Sequence, residues 1–171
     1  PQDGRYGLDD LARGVGALLD VLKLTPALVA GNSAGAAVVA RLSLDSRTPP
    51  SHLISFNGAL LPLSGVSGVL FPPLARVAAA SPWVAFLFSR SAADRKAVER
   101  MVQGTGSTLD ATGLDLYQRL LRSPGHVEAV LRMMAHWRLE RLAGDLPRLV
   151  PALTLVTGLA DRIVPPATAD A

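Results

Sequence analysis

Ala27-Leu28-Val29-Ala30-Gly31-Asn32-Ser33-Ala34-Gly35-Ala36-Ala37 passes from a short uncharged apolar segment, through a serine flanked by two glycines, into an alanine-rich run. The apolar segment reads as a strand that is apolar on both faces, as a central strand of a parallel sheet must be. Residues 34–44 read as a helix. A serine hydroxyl is a poor nucleophile unless it stands clear of its own backbone, beside a base, with N–H donors aimed at a developing oxyanion. A sharp turn from strand to helix meets the first condition and part of the third. Ser33 is therefore the candidate nucleophile, and the N–H of Ala34, at the helix start, a candidate oxyanion donor. Such a turn brings strand and helix so close that side chains two residues either side would collide, which predicts that Gly31 and Gly35 are glycine for lack of space. Asn32 suits a supporting role in the turn.

The neighbouring segments extend the same pattern. Leu11, Val15, Leu18, Leu19 and Leu22 recur at helical spacing within Leu8–Leu24, with Asp9 and Asp10 placed to favour the N-terminal dipole. His52-Leu53-Ile54-Ser55-Phe56 reads as a second strand ending at Asn57-Gly58, and Pro151-Ala152-Leu153-Thr154-Leu155-Val156-Thr157-Gly158 as a third. Alternating helices and strands of this kind indicate an α/β layer structure with a parallel sheet, here of three strands.

Between the second and third strands the pattern is interrupted. Residues 59–88 carry Arg76 as their single charge, but Pro62, Pro72, Pro73 and Pro82 with Gly65 and Gly68 leave no unbroken apolar run of the roughly 20 residues a membrane span needs. Residues 90–149 are helical in character, with candidate helices at 92–102, 113–121 and 124–142. The expected organisation is an α/β core over 1–58, a helical insertion over 59–148, and a return to the core over 149–171. Met133-Met134 and the Trp83–Phe88 cluster read as packing within the insertion.

Composition narrows the partners. Cysteine is absent, which removes disulfides, thiolate catalysis and cysteine-ligated metal together. The 17 basic residues, mostly arginine, lie along helices without clustering beside aromatics, so no nucleic-acid partner is expected. No cofactor or metal is called for. A cytoplasmic location fits, with contact at a membrane surface left open.

A serine elbow needs a base and a group that orients the base. Asp161 lies just after the third strand in a Gly-x-x-Asp-x-x-Val-Pro setting, at the sheet edge where catalytic groups gather in open α/β sheets. It is the candidate acid; the bland alternative is that it only caps its own turn. Asn57 ends the second strand, so it too should face the cleft, orienting substrate or capping a turn. None of the three histidines is well placed as the base. His52 begins a strand at the wrong edge, while His126 and His136 fall in the insertion, upstream of Asp161. In the order Ser, acid, His that serine elbows of the α/β-hydrolase type follow, the histidine would come after one further strand, past Ala171. The opening Pro1-Gln2-Asp3-Gly4-Arg5 has neither an initiator methionine nor a signal-peptide core, as expected of an internal part of a longer chain.

Taken together, these residues resemble the α/β-hydrolase superfamily. More narrowly, the chain is similar to the magnesium-chelatase accessory α/β-hydrolases of bacteriochlorophyll biosynthesis. The narrow likeness rests on Gly31–Ala37, Phe56-Asn57-Gly58-Ala59-Leu60-Leu61-Pro62, Leu70-Phe71-Pro72-Pro73-Leu74-Ala75-Arg76, Thr105-Gly106-Ser107, and Pro124-Gly125-His126 through Met133-Met134-Ala135-His136-Trp137. The resemblance implies a partial α/β-hydrolase fold with a helical cap insertion, Ser33 as nucleophile, Ala34 as oxyanion donor and Asp161 as triad acid. Serine at the elbow centre, where other members carry aspartate, points to acyl transfer rather than epoxide or haloalkane opening. The function so implied is hydrolysis of an ester-like bond in (bacterio)chlorophyll synthesis, on a small apolar acyl or tetrapyrrole-type substrate. A non-catalytic accessory protein holding a porphyrin or a magnesium-chelatase subunit is the alternative, and a generic esterase or acyltransferase a further one. The triad histidine and the second oxyanion donor are expected outside this chain, so these 171 residues alone should be inactive.

Overall fold

A computed structural model describes residues 4–62, 81–91 and 94–170. Three five-residue strands, β1 (Leu28–Asn32), β2 (His52–Phe56) and β3 (Ala152–Val156), form one parallel sheet in the order β1-β2-β3. Leu28 pairs with His52 and His52 with Ala152, and the register holds through to Asn32, Phe56 and Val156. The three carboxyl ends are therefore level, and the loops leaving them emerge along a single edge.

The helix α2 (Ala34–Asp45) lies against β1 and β2, and α1 (Leu8–Leu22) packs against α2. Ala36, Ala37 and Ala40 of α2 are completely buried. Their methyl groups let the helix approach the sheet closely, which explains the alanine-rich run. On α1 only part of the apolar stripe is covered: Leu8 and Ala12 are buried, while Val15, Leu18 and Leu22 stay exposed. The chain leaves α1 at Lys23, which takes a left-handed φ of 53°, and the Leu24 N–H returns to the Leu19 carbonyl at 2.9 Å.

One expectation fails here. β1 is an edge strand among the described residues, not a central one, and its Leu28 is 51% exposed. β2 holds the centre and buries Leu53 and Ser55, whereas every residue of β3 is exposed. An apolar run records that a strand suits a two-sided environment; which strands flank it depends on non-local pairing.

The chain divides into two compact units. One comprises residues 2–63 and 138–171, and contains the sheet, α1, α2 and the short α7 (Glu140–Asp145). Within it, Arg41 of α2, 4% exposed, makes a paired contact with Asp45 (Nε–Oδ2 3.0 Å, Nη2–Oδ1 2.5 Å) and reaches Asp145 of α7 through Nη1 at 2.7 Å.

The other unit, centred on residues 64–137, holds α3 (Pro82–Ser91), α4 (Arg95–Gly104), α5 (Ala111–Leu121) and α6 (Pro124–His136). Asp94 caps α4 by accepting from the Lys96 N–H, and Asp110 caps α5 by accepting from Gly113, so these helices begin at 95 and 111. Ala92 and Ala93, included in the expected 92–102 helix, lie outside the described residues, as does the Leu70–Arg76 segment. The expected 124–142 helix is two helices, interrupted at Trp137, where the chain passes from one compact unit to the other. Val98, Leu114 and Leu121 form an apolar cluster inside this unit. No described helix is long and apolar enough to cross a membrane.

Candidate active site

Ser33 stands between β1 and α2 with φ 51° and ψ −120°, a conformation rarely populated by residues with a side chain. Such a residue costs about 1–3 kcal/mol and persists only where its surroundings hold it. Here the Ser33 N–H donates to the Phe56 carbonyl (3.0 Å), and the Ser33 carbonyl accepts from both Ala36 (3.1 Å) and Ala59 (3.1 Å). Asn32 adds a side-chain bond from Nδ2 to the same Phe56 carbonyl, at 3.2 Å. A serine at the start of a helix ordinarily caps it; the Ser33 hydroxyl does not. Its backbone is strained, yet its side chain is spared from structural duty in the helix.

The two elbow glycines have different reasons. A Cβ on Gly31 would fall 2.5 Å from the Ala36 nitrogen and from the backbone carbon and oxygen of Gly35, so no side chain fits. A Cβ on Gly35 would meet nothing within 4 Å. The expectation that crowding fixes both is corrected for Gly35, because the close approach is made by its backbone and not at its Cα substituent. Gly58, which sequence reasoning did not single out, is the tighter position: a Cβ there would lie 2.0 Å from Ser55 Oγ and 2.8 Å from Ala36 Cβ. An Asn-Gly pair closing a strand is the signal that could have found it.

Asn57 and Asp161 follow the carboxyl ends of β2 and β3. The Asp161 carboxylate accepts from the Ile163 N–H (2.8 Å) and the Val164 N–H (3.0 Å) on Oδ1, so it does close its own turn. Its other oxygen, Oδ2, accepts from Asn57 Nδ2 at 2.6 Å. Ala34 is the first residue of α2, where helix N–H groups lack intrahelical acceptors. Thus Ser33, Asn57 and Asp161 follow three adjacent strand ends.

Histidine placement is different. His52 begins β2 at the opposite edge of the sheet, its Nδ1 3.0 Å from Ser51 Oγ. His126 and His136 belong to the helical unit, where His136 Nδ1–H donates to the Arg132 carbonyl at 2.7 Å. A cavity of about 610 Å³ runs beside α1 at the amino ends of the strands, past Gly16, Leu24, Val29 and Pro50. Ser33, Asn57 and Asp161 do not line it, so this cavity and the strand ends that carry those three residues lie at opposite edges of the sheet.

With its parallel sheet, a strained serine joining β1 to α2 and an aspartate loop after β3, the chain has the α/β-hydrolase fold. It matches an α/β-hydrolase fold protein from Burkholderia ambifaria with a TM-score of 0.69 and 22% identity, over 95% of this chain and 59% of that one. It also matches the epoxide hydrolase CorEH with a TM-score of 0.68 and 16% identity, over 90% and 58% of the two chains. Both likenesses concern the fold. In sequence the chain is similar to the magnesium-chelatase 30 kDa subunit of Rhodobacter capsulatus, with 42% identity over 161 residues. That alignment takes in 94% of this chain and 56% of the relative, so the chain spans about half the length of the curated protein it matches. No family model matches the chain.

Proposed function

We propose that this chain carries the nucleophile and the acid of a serine hydrolase linked to magnesium-tetrapyrrole chemistry. The observation that carries the reading is Ser33: a backbone held at φ 51°, ψ −120° by three hydrogen bonds of its own, with a hydroxyl that does not cap the following helix. In the mechanism, Ser33 Oγ attacks an ester-like carbonyl while a histidine takes its proton, and Asp161 orients that histidine. The Ala34 N–H stabilises the oxyanion, and the histidine and the second donor come from the longer protein. The helical segment, 59–148 as read from the sequence, serves as the cap. The adduct expels the alcohol, which takes its proton from the histidine, and leaves an acyl-enzyme on Ser33 that water then hydrolyses to the acid; this sequence distinguishes the proposed chemistry from that of the epoxide hydrolase sharing the fold.

The test is hydrolysis of p-nitrophenyl esters by the full-length protein. Ser33→Ala is expected to lower kcat on the order of 10⁴-fold or more. An unchanged rate in the variant would assign the activity elsewhere.

A second reading is favoured by the relative's name, a chelatase subunit: a protein that keeps the fold and binds a porphyrin or a magnesium-chelatase subunit without turnover. A pigment phenotype left intact by Ser33→Ala in the full-length protein supports that role, and loss of pigment supports catalysis.

A further inference from the structure

Asn57 does more than end a strand. Its side-chain amide spans two points of the acid loop: Nδ2 donates to Asp161 Oδ2 at 2.6 Å, and Oδ1 accepts from the Gly158 N–H at 2.6 Å. These partners fix the amide's orientation, because a backbone N–H can only donate and an ionised carboxylate can only accept. The contact is close enough that a Cβ on Gly158 would lie 3.2 Å from Asn57 Nδ2. The Asn57 backbone is tied to the same region, with its N–H donating to the Val156 carbonyl at 2.8 Å and its φ at 44°. Asparagine tolerates that left-handed geometry better than most residues.

The division of labour on Asp161 follows. Oδ1 is occupied by the Ile163 and Val164 amides, which hold the turn. Oδ2 takes one bond from Asn57 and keeps acceptor capacity for one more donor. We infer that Asn57 is a positioning residue for the acid, fixing the Asp161 carboxylate so that Oδ2 presents its remaining lone pair to the N–H of the catalytic base. The inference rests on the hydrolase reading above. Asn57 touches neither nucleophile nor substrate in this role; it acts through Asp161. A rigid acid matters because a misplacement of about 1 Å within a catalytic group can cost on the order of 100-fold in rate.

Two substitutions in the full-length protein separate the amide's role from the backbone's. Asn57→Gly keeps the left-handed conformation without strain and removes the bridge; Asn57→Asp keeps an acceptor for Gly158 and replaces the donor with a second carboxylate. The readout is phosphonylation by a fluorophosphonate probe, resolved into kinact and KI, with hydrogen exchange at the Gly158 amide. Both variants are expected to lower kinact by about 10- to 100-fold with KI within about twofold. Gly158 exchange should rise in Asn57→Gly. Asn57→Asp remains informative if Asn57→Gly fails to fold. Parent-like kinact in either folded variant overturns the role of Asn57 while leaving Ser33 as nucleophile. A parent protein that does not react at Ser33 overturns the hydrolase reading and this role together.

Discussion

Gly31 and Gly35 flank the same serine but should respond oppositely to a methyl group. Gly31→Ala drives a Cβ into backbone atoms that have no room to move, and should destabilise the protein by about 3 kcal/mol or more. Gly35→Ala enters open space in a helix and should be neutral or stabilising by about 0.5 kcal/mol. Urea denaturation of the two variants checks the contrast. Ser55 offers a third case, since its hydroxyl is buried without a hydrogen-bond partner among the described residues. Ser55→Ala should leave stability unchanged or raise it by up to about 1 kcal/mol; a marked loss in the same denaturation assay would show that the hydroxyl has a partner. The pentapeptide Gly31–Gly35 was legible because its chemistry is local. The hydrogen bond from Asn57 to Asp161 was not, since it joins residues 104 apart and needs the strand order to bring them together.

The join between α2 and α7 depends on charge. The Asp145 carboxyl is held below its ordinary value of 3.8, chiefly because Arg41 donates a hydrogen bond to it. With the folded pKa below the unfolded one, the contribution to stability is present above about pH 3.8 and is lost as pH falls through the folded value. Asp145→Asn should therefore be less stable than the parent at neutral pH, with the gap closing in acid; melting temperatures from pH 7 down to pH 3 read this directly. A gap that stays constant over that range would remove Asp145 from the acid dependence. Strands and most helices could be read from apolar periodicity. Edge against centre for β1, and the break between α6 and α7, could not, because both reflect which surface each segment meets in the folded chain.

The sheet leaves much apolar surface uncovered: Leu153, Leu155 and Val156 of β3 and Leu28 of β1 are each at least 40% exposed. Open strand edges also present unpaired N–H and C=O groups that invite further pairing. Expressed alone, the 171-residue chain should associate in solution, as light scattering would detect, and should hydrolyse p-nitrophenyl esters negligibly, since the unit that carries Ser33 holds His52 as its one histidine, at the opposite edge of the sheet. A monodisperse monomer or a robust ester rate would each contradict these expectations. For the full-length protein, the decisive experiment is reaction with a fluorophosphonate probe followed by peptide mass spectrometry. Covalent modification of Ser33, abolished by Ser33→Ala and strongly slowed by Asp161→Asn, is the predicted result. A correctly folded protein that leaves Ser33 unmodified would contradict it.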